Sequence, residues 1–146
     1  MSFASPLLRI ALSRADRSGC DKLWDIVGVF NCATVTEIDL SGCSSLQDIS
    51  PLAGCSRLRA LNLSRCEQLR EISVLGALSA LVDLDISCNA NIDDISPLSG
   101  CGELTCCDLS WTSVVDLMPL KGCANIWVDG LLLASDGKES SWCGCV

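Results

Sequence analysis

Leu40, Leu63, Ile86 and Leu109 stand twenty-three residues apart, and so do Ile38, Leu61, Leu84 and Cys107. The columns Leu46–Leu69–Ile92, Ile49–Ile72–Ile95 and Leu52–Leu75–Leu98 keep the same step. After Ser110 one residue is lost, and Val114, Leu117 and Leu120 continue the pattern one position early. Backwards, DRSGCDKLWDI (16–26) matches DLSGCSSLQDI (39–49), with Arg17 where the others carry Leu. The units run 12–34, 35–57, 58–80, 81–103 and 104–125. A half repeat follows, in which Leu131 and Leu133 are the expected next strand. A unit this short cannot bury its own apolar face. It becomes stable only by stacking against copies of itself.

Each unit has the form LxxLxLSxCxxLxDISPLxGCxx. The alternation in LxLxLS predicts a short strand with one face buried. Stacked units then place each strand about 4.8 Å from its equivalent, in a parallel sheet. Ser50-Pro51 and Ser96-Pro97 read as a cap followed by proline at the first helical position. The stretch before the next strand holds one or two helical turns at most. Gly54, Gly100 and Gly122 weaken even those, which points to tight turns or 3-10 pieces.

These columns resemble the leucine-rich-repeat family over residues 12–134. The short IxPLxxL stretch is similar to the phosphatase-regulator and bacterial-internalin type. Cysteine in place of the usual asparagine is similar to the cysteine-containing type. The resemblance implies an α/β class: a short right-handed solenoid with a parallel concave β-sheet and short 3-10 or helical turns on the convex side. On this reading residues 1–11 are an N-terminal cap segment and 135–146 a flexible C-terminal tail.

Twelve cysteines and no histidine demand an account. Cys20, Cys43 and Cys66 share one column with Asn89; Cys32, Cys55, Cys101 and Cys123 share another with Leu78. A residue exchanged with Leu is a small apolar filler. One exchanged with Asn sits where the chain turns off the strand, and a thiol can do part of that hydrogen-bonding work. Metal binding or thiol–redox chemistry is the competing reading. Structural zinc wants four convergent ligands, usually from close CxxC pairs, and the chain has no such pair. Cys143 and Cys145 fall outside the pattern. No exported leader is read in the first twenty residues and no span of about 18 apolar residues is present. The expectation is therefore a cytoplasmic protein with reduced thiols, and no disulfide framework.

The formal net charge of −8 argues against nucleic acid and anionic membranes as partners, since both need a basic face. Between residues 71 and 120 there are eight acids and no base, while Arg57, Arg59, Arg65 and Arg70 cluster in and around the third repeat. With no histidine, no phosphate loop and aspartates that simply follow the repeat, neither catalysis nor a cofactor is expected.

In the family, the outward strand positions form the ligand-binding concave surface. The resemblance carries that role to Glu37, Asp39, Asn62, Asp83, Asp85, Asp108, Ser87 and Ser110, with Trp111 as an exposed anchor just beyond a strand. The row Asp16, Asp39, Asn62, Asp85 and Asp108 stacks like charges, which a basic partner would relieve; a solvated acidic face is the alternative. A second acidic column, Asp25, Asp48, Glu71, Asp94 and Asp116, precedes each short helical turn and reads as structural. The functional expectation is a non-catalytic protein–protein recognition module for a basic partner. The alternatives are a structural subunit or homodimer docking through an open C-terminal edge, and a metal or thiol–redox protein.

Overall fold

The computed structural model describes residues 14–28, 32–129 and 131–134. The cap segment, the tail, Cys143 and Cys145 lie outside the described residues.

Six three- or four-residue strands follow one another: β1 (Arg14–Asp16), β2 (Glu37–Asp39), β3 (Ala60–Asn62), β4 (Asp83–Asp85), β5 (Cys106–Asp108) and β6 (Asn125–Val128). They pair in chain order as a parallel sheet. The register from β1 to β5 is the one the repeat dictates, with Asp16, Asp39, Asn62, Asp85 and Asp108 in one row. Behind the sheet lie 3-10 turns at Ser50–Gly54, Ser73–Ala77, Ser96–Gly100 and Met118–Leu120. The element order and the parallel sheet make this a solenoid of stacked single turns.

Its interior is built from rows. Leu40, Leu63, Ile86 and Leu109 are buried in one, and Ile38, Leu61, Leu84 and Cys107 in another. The columns at 46, 49 and 52 are likewise buried through their later members at 92, 95 and 98. One large aliphatic side chain, fully removed from water, contributes roughly 1.5–3 kcal/mol. Each repeat brings several, but only when its neighbours are in place.

Two features extend the coil beyond its short strands. First, the inter-repeat ladder continues into the turn. Gly19, Gly42, Arg65 and Cys88 donate their N–H groups to the carbonyls of Ser41, Ser64, Ser87 and Ser110. These residues share a column with Trp111, and all five have positive φ, from 58° to 71°. Glycine takes this conformation freely; Arg65, Cys88 and Trp111 take it at a steric cost. Second, the end of the coil is made by a reversal. β6 begins nineteen residues after β5, where earlier strands are twenty-three apart. β7 (Leu131–Ala134) then pairs antiparallel to β6. The expected parallel half repeat at Leu131 and Leu133 is therefore corrected: Asn125–Val128 is the next parallel strand, and 131–134 folds back on it. Asp129-Gly130 between the two strands is a strong hairpin signal, and Asp129 has φ +50°. The Asp129 carboxylate accepts the Trp111 N–H at 3.0 Å, in place of the serine carbonyl that another repeat would supply.

The convex turns are packed backbone to backbone. A Cβ on Gly100 would run into the Gly76 carbonyl oxygen, and one on Gly76 would come within 2.9 Å of the Pro97 oxygen. Gly102, two residues on, faces open space. Gly100→Ala should therefore lower unfolding free energy in urea by about 2 kcal/mol. Gly102→Ala should leave the midpoint within about 0.5 kcal/mol of the parent.

Candidate functional site: the concave row and its edges

The concave row follows from strand pairing, and its side chains turn back onto their own backbone. The N–H groups of Ser18, Ser41, Ser64, Ser87 and Ser110 donate to the side-chain oxygens of Asp16, Asp39, Asn62, Asp85 and Asp108, at 2.9–3.0 Å. Each residue thus closes an Asx turn where the chain leaves the sheet. The second acidic column does the same work elsewhere. Asp25, Asp48, Glu71, Asp94 and Asp116 accept the N–H two residues on, at 2.8–3.0 Å. Nine of the eighteen acidic residues in the chain hold these turns. Hydrogen bonds from the Ser50 side chain and backbone depress the Asp48 carboxyl, and those from the Ser96 backbone and side chain depress Asp94.

The expectation of an open acidic surface is only partly met. Asn62, Asp83, Asp85, Ser87, Asp108 and Ser110 are buried, with Asp85 only 4% exposed. Glu37 and Asp39 are half-buried. Trp111 stands 61% exposed. Short side chains flanked by neighbours one strand spacing away leave little surface to water. Burial pushes the Asp85 carboxyl up, the Ser87 hydrogen bonds oppose it, and the charges of Asp108 and Asp39 push it further up.

The cysteines divide into two behaviours. In the first column, the Cys43 thiol donates to the Arg17 carbonyl at 3.1 Å and the Cys66 thiol to the Leu40 carbonyl at 3.2 Å. Asn89 makes the equivalent bond to the Leu63 carbonyl at 2.8 Å, and adds bonds to Ile86 and Ser87. Thr112 continues the column, donating to the Leu109 carbonyl at 2.7 Å. Thiol, amide and hydroxyl serve one role: they satisfy carbonyls at the turn. Burial pushes the Cys43 thiol up, and Cys66 up to about 12. Cys101 and Cys123 are raised by burial too, Cys123 to about 11. None of these is an activated nucleophile.

The second column corrects an expectation. Cys32 and Cys55, adjacent in it, are joined by a disulfide, their Cα atoms 4.1 Å apart. Column mates on successive repeats are brought together by the stacking itself, so a bond between them needs no rearrangement of the coil. Among the described residues no group of three or more His, Cys, Asp or Glu is placed to hold a metal ion. No helix there is long and apolar enough to cross a membrane.

The sequence matches no family model and no curated protein. Solved structures do resemble it. An internalin (inlF) from Listeria monocytogenes str. 4b F2365 is similar with a TM-score of 0.64 and 22% identity, over 71% of this chain and 31% of that one. An internalin C2 (inlC2) from the same organism is similar with a TM-score of 0.48 and 30% identity, over 70% of this chain and 53% of that one. The chain spans about a third to a half of the structures it matches.

Two outcomes test this account. In the folded protein without reductant, alkylation should leave Cys32, Cys55, Cys43 and Cys66 unlabelled. Reduction should open Cys32, whereas Cys55, Cys43 and Cys66, all fully buried, should label only on unfolding, as read by peptide mass spectrometry. Asp85→Asn keeps an oxygen acceptor for Ser87, as Asn62 shows, and removes a buried charge. Because folding raises the Asp85 pKa, its ionisation costs stability as pH climbs through and above the ordinary value of 3.8. The variant should thus be more stable than the parent at pH 7, and the gain should vanish below that value. Asp85→Ala, which orphans the amide, should be less stable than Asp85→Asn by about 1 kcal/mol at any pH.

Proposed function

Because the chain is a leucine-rich-repeat solenoid, we propose that it is a protein-recognition module with no chemistry of its own, and that its partner is basic. The observation that carries this reading is Trp111. A bulky aromatic stands 61% exposed on a backbone held at φ +61°, where the first two repeats carry glycine and the next two Arg65 and Cys88. An exposed tryptophan fixed on a rigid turn fits an interface anchor. Strain of this kind persists where function maintains it.

Glu37 and Asp39, at the other end of the sheet, supply the accessible carboxylates of the concave row. Asp83, Asp85 and Asp108 between them shape the floor and add to the negative field. Together with the net charge of −8, they steer a basic protein toward the concave side. Asn62, Ser87 and Ser110 belong to the same floor. Likeness to the internalin fold supports a binding role and leaves the partner to be defined by this chemistry.

The test separates contact from folding. Glu37→Lys combined with Asp39→Asn removes accessible charge while preserving the Ser41 turn acceptor. Trp111→Gly places the residue of Gly19 and Gly42 in the same column. Both variants should keep the circular dichroism spectrum, and Trp111→Gly should melt no lower than the parent. Immobilised parent protein should retain basic proteins with an affinity that falls as salt rises. Each variant should lose retention by about tenfold or more. Retention unchanged in both would refute the reading.

A further inference from the structure

The two ends of the coil are closed by different means. At the C-terminal end β7 folds back on β6. At the N-terminal end, among the described residues, the Cys32–Cys55 bond crosses the interface between the first repeat and the second. Each end carries a pair of cysteines in that column, since Cys101 and Cys123 stand in the fourth and fifth repeats. Those two are free thiols. Cys101 donates to the Leu75 carbonyl at 3.1 Å, toward the third repeat, and Cys123 to the Asn125 carbonyl at 3.4 Å, in its own unit. Sharing a column therefore does not by itself make a bond.

The bond sits where packing is thin. The second repeat points Ile38, Leu40, Cys43 and Leu46 inward, all fully buried. The equivalent positions of the first repeat hold Ala15, Arg17, Cys20 and Leu23. A methyl group and a guanidinium thus replace two aliphatic side chains, and Arg17, Cys20 and Leu23 are only half-buried. Trp24 and Val27 stand 67% and 69% exposed. Across residues 16–28 and 32–34 only Ile26 is buried. A terminal repeat rests on one neighbour, so its opening breaks a single interface. The bond spans 23 residues of chain, and closing that loop lowers the entropy of the opened form.

The remaining ties between the two repeats are weak enough to name one by one. Arg17 and Gly19 donate their N–H groups to the Asp39 and Ser41 carbonyls, and Gln47 donates to the Trp24 carbonyl. The Cys43 thiol donates to the Arg17 carbonyl. One repeat further in, Gly42 donates to the Ser64 carbonyl and the Cys66 thiol to the Leu40 carbonyl, contacts in which the first repeat has no part. We propose that Cys32–Cys55 is a redox-controlled clasp, whose reduction frees the first repeat to peel away while the second to fifth stay folded. The reductant is a dithiol. Its thiolate attacks the Cys32 sulfur, because Cys32 is half-buried and Cys55 fully buried. The bond between the two cysteines breaks, and Cys55 leaves as a thiolate and takes up a proton. The second sulfur of the dithiol, losing its proton, then attacks the mixed disulfide. Cys32 departs as a thiolate and is protonated, and the reductant ends as a disulfide. Exchange with glutathione disulfide runs the sequence backwards and restores the clasp. Opening turns β2, with Glu37 and Asp39, into the edge of the sheet, so one bond sets where the concave row begins.

Cys43 and Cys66 are built-in reporters, since the first repeat covers one and the second repeat the other. Alkylation of the full chain in rising urea, read by peptide mass spectrometry, follows both. After equilibration with glutathione disulfide, a non-reducing peptide map should show the Cys32–Cys55 link, and Cys43 and Cys66 should label together. In a phosphine reductant, Cys43 should label at a urea concentration lower than Cys66 by about 0.5 M or more. Without urea, reduction should speed hydrogen exchange at the Arg17, Gly19 and Gln47 amides by about tenfold or more and leave Gly42 unchanged. Cys32→Ala should reproduce the reduced behaviour with no reductant present. Coincident labelling of Cys43 and Cys66 in the reduced protein overturns the proposal. So does early labelling of Cys43 with the bond intact, a missing link after oxidation, or a Cys32→Ala variant whose Gln47 amide exchanges as slowly as in the bonded parent.

Discussion

Everything in this molecule depends on one repeat covering the next. Interior leucines and isoleucines lie in rows that run across the repeats, so no repeat has a core it can call its own. The hydrogen-bond ladder runs the same way, and continues past the strands into the turns. Even the thiols reach sideways, from Cys43 to Arg17 and from Cys66 to Leu40. Stability in such an array is a sum over neighbouring interfaces. Loss at one position is felt mainly by the two repeats beside it.

That arrangement explains the unusual composition. The acidic excess is tied to geometry, since nine carboxylates close turns by accepting an amide two residues on. A side chain that must accept one N–H in a tight space is most simply Asp, and Asn62 fills the same place without charge. The charge is a by-product of the turn, yet it accumulates into a field that a basic partner would sense. Asp85 shows the tension. It is needed as an acceptor, and burial disfavours its ionised form.

Much of this was legible in the residues alone. Period and columns implied the strand register from Asp16 to Asp108 and the interior row from Leu40 to Leu109, and the SPL segments implied 3-10 turns. Three things were not legible. The burial of Asp83, Asp85 and Asp108 depends on how closely short side chains pack across adjacent strands, which a column assignment does not measure. The Cys32–Cys55 bond depends on which of several column mates come within bonding range, and spacing alone treats them alike. The reversal at β7 had a signal, Asp129-Gly130, but the apolar Leu131–Leu133 alternation fitted a parallel continuation equally well.

The hairpin formed by β6 and β7 has a further consequence. A strand running backwards presents its hydrogen-bonding groups in the wrong sense to seat another turn of the same coil. The array therefore carries its own stop, and Asp129 signs it by answering the last unclaimed turn amide. Lengthening by duplication has to happen upstream, where a unit such as 58–80 finds identical sockets above and below, and every added copy pushes the terminator outward intact.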